Sequence, residues 1–153
     1  MKAANRSQFV YVTFIRTTPA KLWKALTDPR FIRQYWFNMT VTSDWKKGSS
    51  WKMVDPDGNL MDSGELLEID PPRRMVIRWQ NEWMPKLKAE GLSRCTIALE
   101  PVDSAVKLTI THEIDRPNSK FITAVSGGWP SILSNLKSLI ETGEVAITSH
   151  PAH

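Results

Sequence analysis

The stretch Asn118 to Gly143, NSKFITAVSGGWPSILSNLKSLIETG, decides the fold. Its apolar side chains recur every three or four residues, which places them on one face of a helix. The residues on that face are Phe121, Val125, Trp129, Ile132, Leu136 and Leu139. A capping residue at the start and Gly143 at the end predict a helix over about residues 118–142. Proline cannot donate a backbone hydrogen bond, so we expect a bend near Gly127 to Pro130.

The residues before this helix alternate between apolar and polar side chains, as is typical of strands. The clearest run is on one face of the last strand, where Val106, Leu108, Ile110, His112 and Ile114 alternate with polar residues. Short turns separate the strands, which favours an antiparallel sheet of five to six strands and an α+β class. We expect the sheet to wrap the long helix.

A first strand and two short helices precede the main run of strands. Phe9 to Arg16 is rich in β-branched and aromatic residues, which predicts the strand. Thr18-Pro19 and Asp28-Pro29 each place a capping residue before a proline. They predict helices over about 19–26 and 29–36.

Three features interrupt the strand pattern. Asp55 to Asn59 predicts a tight hairpin turn. Gly64, within the strand Leu60 to Ile69, predicts a bulge or a close approach of two backbones. Glu82 to Gly91 follows neither period, and we expect a loop or a short helical flap there.

Composition predicts one domain over residues 1–153, with a loose tail from about residue 144. The chain has no apolar run of about 18 residues and no signal-like N-terminus, so we expect a cytoplasmic protein without membrane association. Cys95 is the only cysteine, which excludes an intrachain disulfide. The net charge of +4 is scattered, and this argues against a nucleic acid partner.

Five motifs together match one family: Pro19 to Pro29, Gly64 to Pro72, Ser93 to Ile97, Leu108 to His112, and Gly128-Trp129. They resemble the family related to the C-terminal domain of the activator of Hsp90 ATPase, in the START-like or Bet v 1-like helix-grip superfamily. The resemblance implies a curved sheet that grips the long helix around a mostly apolar cavity. It implies no single substrate, since the superfamily includes lipid carriers, hormone receptors, cyclases and chaperone partners. Glu113 to Asp115 departs from the family pattern.

A cavity of this kind would be lined by large inward-facing side chains. Strand parity and the helix face assign to it Trp36, Trp51, Met53, Trp79, Ile110, His112, Val125 and Trp129. Such a wall suits a small apolar or amphipathic molecule, with His112 as a polar anchor. Two alternatives remain open. These side chains fill the core completely, or His112 is a buried histidine bonded to a neighbouring polar group.

Two other function classes also remain open. The resemblance implies a chaperone-associated interaction module. A cyclase or lyase would need an acid or base, which His112 with Asp62 or Glu65 could supply. We expect no metal, because His112 and Cys95 alone offer nitrogen and sulfur ligands in the body of the chain. We expect no cofactor, since the chain has no phosphate loop or dinucleotide fingerprint. A homodimer is compatible with the sequence, and binding without catalysis is the main expectation.

Overall fold

A computed structural model describes residues 5–149. One antiparallel sheet has the strand order β1-β7-β6-β5-β4-β3-β2. Its strands are β1 (Ser7–Ile15), β2 (Thr40–Ser43), β3 (Ser50–Val54), β4 (Leu60–Asp70), β5 (Arg74–Asn81), β6 (Ser93–Val102) and β7 (Ala105–Ile114). The helices are α1 (Pro19–Thr27), α2 (Pro29–Tyr35), α3 (Pro85–Lys88) and α4 (Lys120–Thr142). One hydrophobic core joins the inner face of the sheet to α1, α2 and α4.

The α+β class and the antiparallel sheet with a long C-terminal helix are confirmed. The predicted number of strands is wrong, because the sheet has seven strands rather than five to six. Strand β2 has only four residues, too few to show a clear alternation in sequence. Thr18 and Asp28 cap α1 and α2 as predicted, and each side chain accepts a hydrogen bond from a first-turn backbone N–H.

Helix α4 begins two residues later than predicted and ends at the predicted residue. Ser119 caps it, and its side chain accepts a hydrogen bond from the backbone N–H of Ile122 at 3.0 Å. Gly143 ends it with φ 88°, a left-handed conformation that glycine adopts without steric cost. The helix is continuous across Pro130, and the bend there stays a prediction. No helix within residues 5–149 has the length and apolarity needed to span a membrane.

The segment 82–92, which we call the flap, contains α3. It is held at both ends by side-chain hydrogen bonds. Asn81 accepts one from the backbone N–H of Met84 at 2.8 Å. Glu90 accepts one from the backbone N–H of Lys120 at 2.9 Å, where a carboxylate also suits the positive end of the α4 dipole. The prediction of a short helical flap agrees with this arrangement.

Within the segment expected to be a loose tail, Ile147 makes two hydrogen bonds to α4. The side-chain amide of Asn135 on α4 donates to the Ile147 carbonyl and accepts from its N–H, both at 2.8 Å. Asn135 is buried, so this two-way contact also satisfies an amide that would otherwise be costly in the core. The two other histidines of the sequence, His150 and His153, lie outside the described residues.

Gly64 makes the close backbone approach that the sequence predicted. A Cβ atom there would lie 1.8 Å from the carbonyl oxygen of Arg78 on β5. Register shifts in β4 fall between Leu66 and Glu68 in its pairing with β5, and between Leu60 and Asp62 in its pairing with β3. The irregularities therefore lie on either side of Gly64 rather than at it. Glycine is therefore required at this position by the contact between two strands.

We expect Gly64→Ala to lower the free energy of unfolding by about 2 kcal/mol, because the new methyl group must push β4 and β5 apart. Urea denaturation followed by circular dichroism measures this change. Gly127→Ala is the matched control, since a Cβ on Gly127 would meet no atom within 4 Å. A Gly64→Ala variant as stable as the wild type would show that the strands separate without cost.

Candidate functional site

An apolar cavity lies between the inner face of the sheet and α4. Its volume is about 20 Å³, which is room for about one water molecule. Its lining is made of Leu26, Ile32, Tyr35, Trp36, Val41, Trp45, Trp51, Met75, Ile77, Trp79, Ile97, Ile110, Trp129 and Leu133. In this conformation the large side chains therefore fill almost all of the space between sheet and helix.

Four of the five indole rings that line the cavity pack against one another, with Trp79 at their centre. Its ring centroid lies 4.3 Å from that of Trp51, 5.9 Å from Trp129 and 6.2 Å from Trp36. Trp36 and Trp129 meet edge to face at 5.2 Å. These distances are close to those that aromatic pairs prefer, so the rings stabilise each other. Trp36 is half-buried, whereas the other three are buried.

Five of the eight residues assigned to the cavity from the sequence line it: Trp36, Trp51, Trp79, Ile110 and Trp129. The remaining three, Met53, His112 and Val125, lie outside its lining. Met53 and His112 are buried in the core around it, and Val125 is only half-buried on α4. Strand parity correctly places a side chain inward, but it does not say which part of the core the side chain reaches.

His112 connects α4 to three strands through buried hydrogen bonds. Its Nδ1 accepts from the indole N–H of Trp129 at 3.1 Å, and its Nε2 lies 3.0 Å from the hydroxyl of Ser93. The Ser93 hydroxyl donates to the Trp79 carbonyl at 3.1 Å. Because Nδ1 is an acceptor, the proton of the neutral ring lies on Nε2, which donates to Ser93.

Both nitrogens of His112 are therefore occupied. Burial also lowers the pKa of this imidazole to about 3, so the ring is neutral at physiological pH. The geometry favours the alternative of a buried histidine bonded to neighbouring polar groups. Neither nitrogen is available to anchor a ligand or to act as a base in this conformation. Ser93, which the sequence analysis did not assign, shares the strand parity of inward Cys95 and could have been found from it.

The thiol of Cys95 lies in the core around the cavity. Cys95 is fully buried, and burial raises the pKa of its thiol far above its usual range, so it is neutral and unreactive. Within residues 5–149, no three His, Cys, Asp or Glu side chains come together in an arrangement that could hold a metal ion.

We call Trp36, Trp51, Trp79 and Trp129 the tryptophan cluster. A polar corner adjoins it and consists of Asp62 on β4 and the indole N–H of Trp79. Asp62 lies across the sheet from Met53 on one side and Asn81 on the other. Its Oδ1 and the Trp79 Nε1 are both closed off from solvent, and neither has a hydrogen-bond partner among the described residues. The Trp79 indole N–H lies near the Asp62 carboxyl and lowers its pKa, although the two groups do not reach full hydrogen-bond geometry.

Burial raises the pKa of Asp62 to about 8, and the nearby charge of Glu82 acts in the same direction. Asp62 is therefore mostly protonated at neutral pH. Hydrogen bonds from Lys88 and Ser63 lower the pKa of Glu82, which stays ionised. From the sequence, Asp62 is expected only as an acid or base that could act with His112 in a cyclase or lyase, and it is not among the eight residues assigned to the cavity.

The side of the cavity nearest to solvent is formed by strained residues. Trp36 and Trp45 are both half-buried and line the cavity from the two ends of β2. Trp45, Phe37 and Asn38 have φ values of 55°, 48° and 63°. Non-glycine residues in this left-handed region cost about 1 to 3 kcal/mol each and cluster at functional sites. We call Trp36, Phe37, Asn38 and Trp45 the mouth.

Solved structures show the same fold. A protein from Mesorhizobium loti superposes with a TM-score of 0.77 at 22% identity, covering 91% of this chain and 100% of the other. The Aha1 dimer from Colwellia psychrerythraea superposes with a TM-score of 0.70 at 20% identity, covering 90% of this chain and 98% of the other. An Hsp90 activator from Plasmodium falciparum superposes with a TM-score of 0.70 at 21% identity, covering 86% of this chain and 94% of the other. At these identities the likeness establishes the fold alone.

The sequence comparisons agree with the fold. No curated protein matches the chain. The family model described as Activator of Hsp90 ATPase homolog 1-like protein matches residues 16–141, which include every strand except β1 and every helix, α4 without its last residue. The match spans the mouth, the tryptophan cluster and the polar corner. The chain belongs to the family of activator of Hsp90 ATPase homolog 1-like proteins.

Proposed function

We propose that the protein binds a small, flat, apolar molecule between the sheet and α4, in a state in which Trp36 has moved outward. The observation that carries this proposal is the apolar, tryptophan-lined cavity behind a half-buried Trp36. Flat aromatic surfaces recognise flat apolar molecules by stacking and by burial of apolar area. The neutral, unreactive character of Cys95 and His112 supports binding without catalysis.

The closed cavity is too small for such a ligand. Ligand sites usually measure about 300 Å³ or more, against about 20 Å³ here. Binding therefore requires that a side chain leaves, and Trp36 is best placed to do so. It is half-buried and lies just beyond the last residue of α2, next to the strained residues Phe37 and Asn38. A ligand that stacks on Trp79 would replace the contact that Trp36 makes in the closed state.

The competing explanation is that the tryptophan cluster is only a well-packed core. Two features support a site instead. The positive φ values near the cavity fall at the mouth, in the loops that flank β2. In addition, Trp36 retains solvent contact while its indole packs against two buried ones. Strained backbone and a partly exposed indole at the same end of the cavity are unfavourable in a core that has no binding role.

We expect Trp36→Ala to bind the neutral probe N-phenyl-1-naphthylamine about tenfold more tightly than the wild type, because the closed state no longer competes with the ligand. The enhancement of probe fluorescence measures the affinity. Trp83→Ala is the matched control, since Trp83 is 50% exposed on the flap and lies outside the cavity lining.

The control should bind the probe as the wild type does. If neither the wild type nor a folded Trp36→Ala variant binds the probe saturably, the ligand-binding proposal is wrong. Circular dichroism in the near ultraviolet establishes that each variant retains native packing. This check is needed because loosely packed states also bind such probes.

A second candidate is a role in binding a partner protein, as the family description suggests. The outer face of β1 favours it, because Val10, Val12 and Phe14 are exposed by 51%, 44% and 48%. Adjacent exposed apolar residues on one strand often mark interaction surfaces. Stimulation of an Hsp90 ATPase that Val12→Glu abolishes and Trp36→Ala leaves unchanged would favour this role over ligand binding.

A further inference from the structure

We propose that the polar corner formed by Asp62 and Trp79 binds a hydroxyl group on the ligand, which makes the ligand class a flat aromatic alcohol. This inference rests on the proposed function. It adds a chemical requirement to a site that is otherwise defined only by apolar surface. Trp79 connects the two parts, since its ring lines the cavity and its indole N–H faces Asp62.

The corner leaves two buried polar atoms without partners, Asp62 Oδ1 and Trp79 Nε1. Each buried polar group left in this state costs about 1 to 3 kcal/mol. Such groups are usually satisfied by protein, water or a ligand. One hydroxyl group satisfies both at once, because its oxygen accepts from the Trp79 N–H while its proton is donated to Asp62 Oδ1.

Other head groups fit the corner less well. A carboxylate would lie beside the charge of Glu82, which already acts on Asp62. An ammonium group has no lone pair to accept the N–H of Trp79. A carbonyl oxygen can accept from Trp79 and from the proton of a neutral Asp62, but it has nothing to donate where Oδ1 is the acceptor, whereas a hydroxyl group fits both arrangements. The corner is therefore best matched by a neutral group that both donates and accepts.

The surroundings of the corner allow a ligand to reach it from the cavity. Met53 lies directly across the β3–β4 pair from Asp62 and is buried. A methionine side chain is unbranched and adapts its shape at low cost. Trp51 lies two residues before Met53, and its ring centroid is 4.3 Å from that of Trp79. We infer that a ligand stacked on Trp79 extends past Met53 to place its hydroxyl group at Asp62.

The test compares 2-naphthol with naphthalene, two probes of the same shape that differ in one hydroxyl group. Displacement of N-phenyl-1-naphthylamine at pH 7 measures both affinities. We expect the wild type to bind 2-naphthol about tenfold more tightly than naphthalene, a ratio typical of one or two buried hydrogen bonds. Asp62→Leu should reduce this ratio to about one, while Asp57→Leu on the exposed hairpin turn should keep it.

Trp79→Phe provides a second test, in case Asp62→Leu does not fold. It removes the indole N–H and keeps an aromatic ring, so it should also reduce the ratio. Equal binding of the two probes to the wild type would overturn the hydroxyl inference and leave the proposed function standing. That result would mean that the corner is satisfied by water or by side-chain rearrangement. If neither probe binds the wild type or Trp36→Ala, both proposals fail.

Discussion

Replacing His112 with alanine should lower the free energy of unfolding by about 4 kcal/mol. The substitution removes a fully buried ring and leaves a cavity among Trp79, Trp129 and Phe121, whose rings pack against it. It also leaves the Trp129 N–H without its acceptor and the Ser93 hydroxyl without its donor. Urea denaturation followed by tryptophan fluorescence measures the loss.

The pH dependence of this loss provides an independent check. The pKa of His112 is about 3 in the folded protein and about 6.5 in the unfolded chain. Below pH 6.5 the unfolded chain takes up a proton that the folded protein excludes, so the wild type loses stability as the pH falls toward 3. The alanine variant has no such group, and the difference between the two proteins should therefore shrink in acid.

Thr111→Ala is the control, because Thr111 is the preceding residue of β7 and its side chain lies on the opposite face. It should cost well under 1 kcal/mol. A His112→Ala variant that loses no more stability than this control would show that the buried hydrogen bonds contribute little. It would also restore His112 as a candidate ligand anchor, since its removal would then be tolerated by the fold.

The fold could be predicted from the sequence where the signals are local and repeated. Helix α4 has an apolar residue every three or four positions and a glycine at its end, so its bounds were predicted within two residues. Strand β7 alternates over its whole length, and every second residue is buried as expected. The sheet has more strands than the five to six predicted, and the four-residue β2 has the weakest periodic signal of them.

The candidate site could be predicted only in part, because its decisive features depend on pairs of distant residues. Parity placed His112 inward, but no sequence pattern shows that Ser93 and Trp129 occupy both its nitrogens. Asp62 is not among the eight residues that the sequence assigns to the cavity, and its place near Trp79 depends on the register between β4 and β5. The volume of the cavity depends on the packing of four indole rings, and periodicity contains no information on it.

Asp62→Asn should make the protein more stable than the wild type by about 3 kcal/mol at pH 8 and about equally stable near pH 4. The pKa of Asp62 is about 8 in the folded protein, against 3.8 for the ordinary carboxyl group. Between these values the folded protein retains a proton that the unfolded chain has lost. The wild type therefore loses stability as the pH rises through this window, whereas asparagine cannot ionise.

Solvent contact limits the size of this effect. The full shift corresponds to about 1.4 kcal/mol for each pKa unit, but Asp62 is only half-buried as a residue, so we expect less than the full amount. Urea denaturation at pH 4.5 and pH 8 measures the difference, with Asp57→Asn on the exposed hairpin turn as the control for the substitution itself. Parallel pH profiles for the wild type and Asp62→Asn would show that Asp62 ionises freely in the folded protein. A charged carboxylate would then face Trp79, and it would accept the proton of the ligand's hydroxyl group more strongly than the neutral acid does.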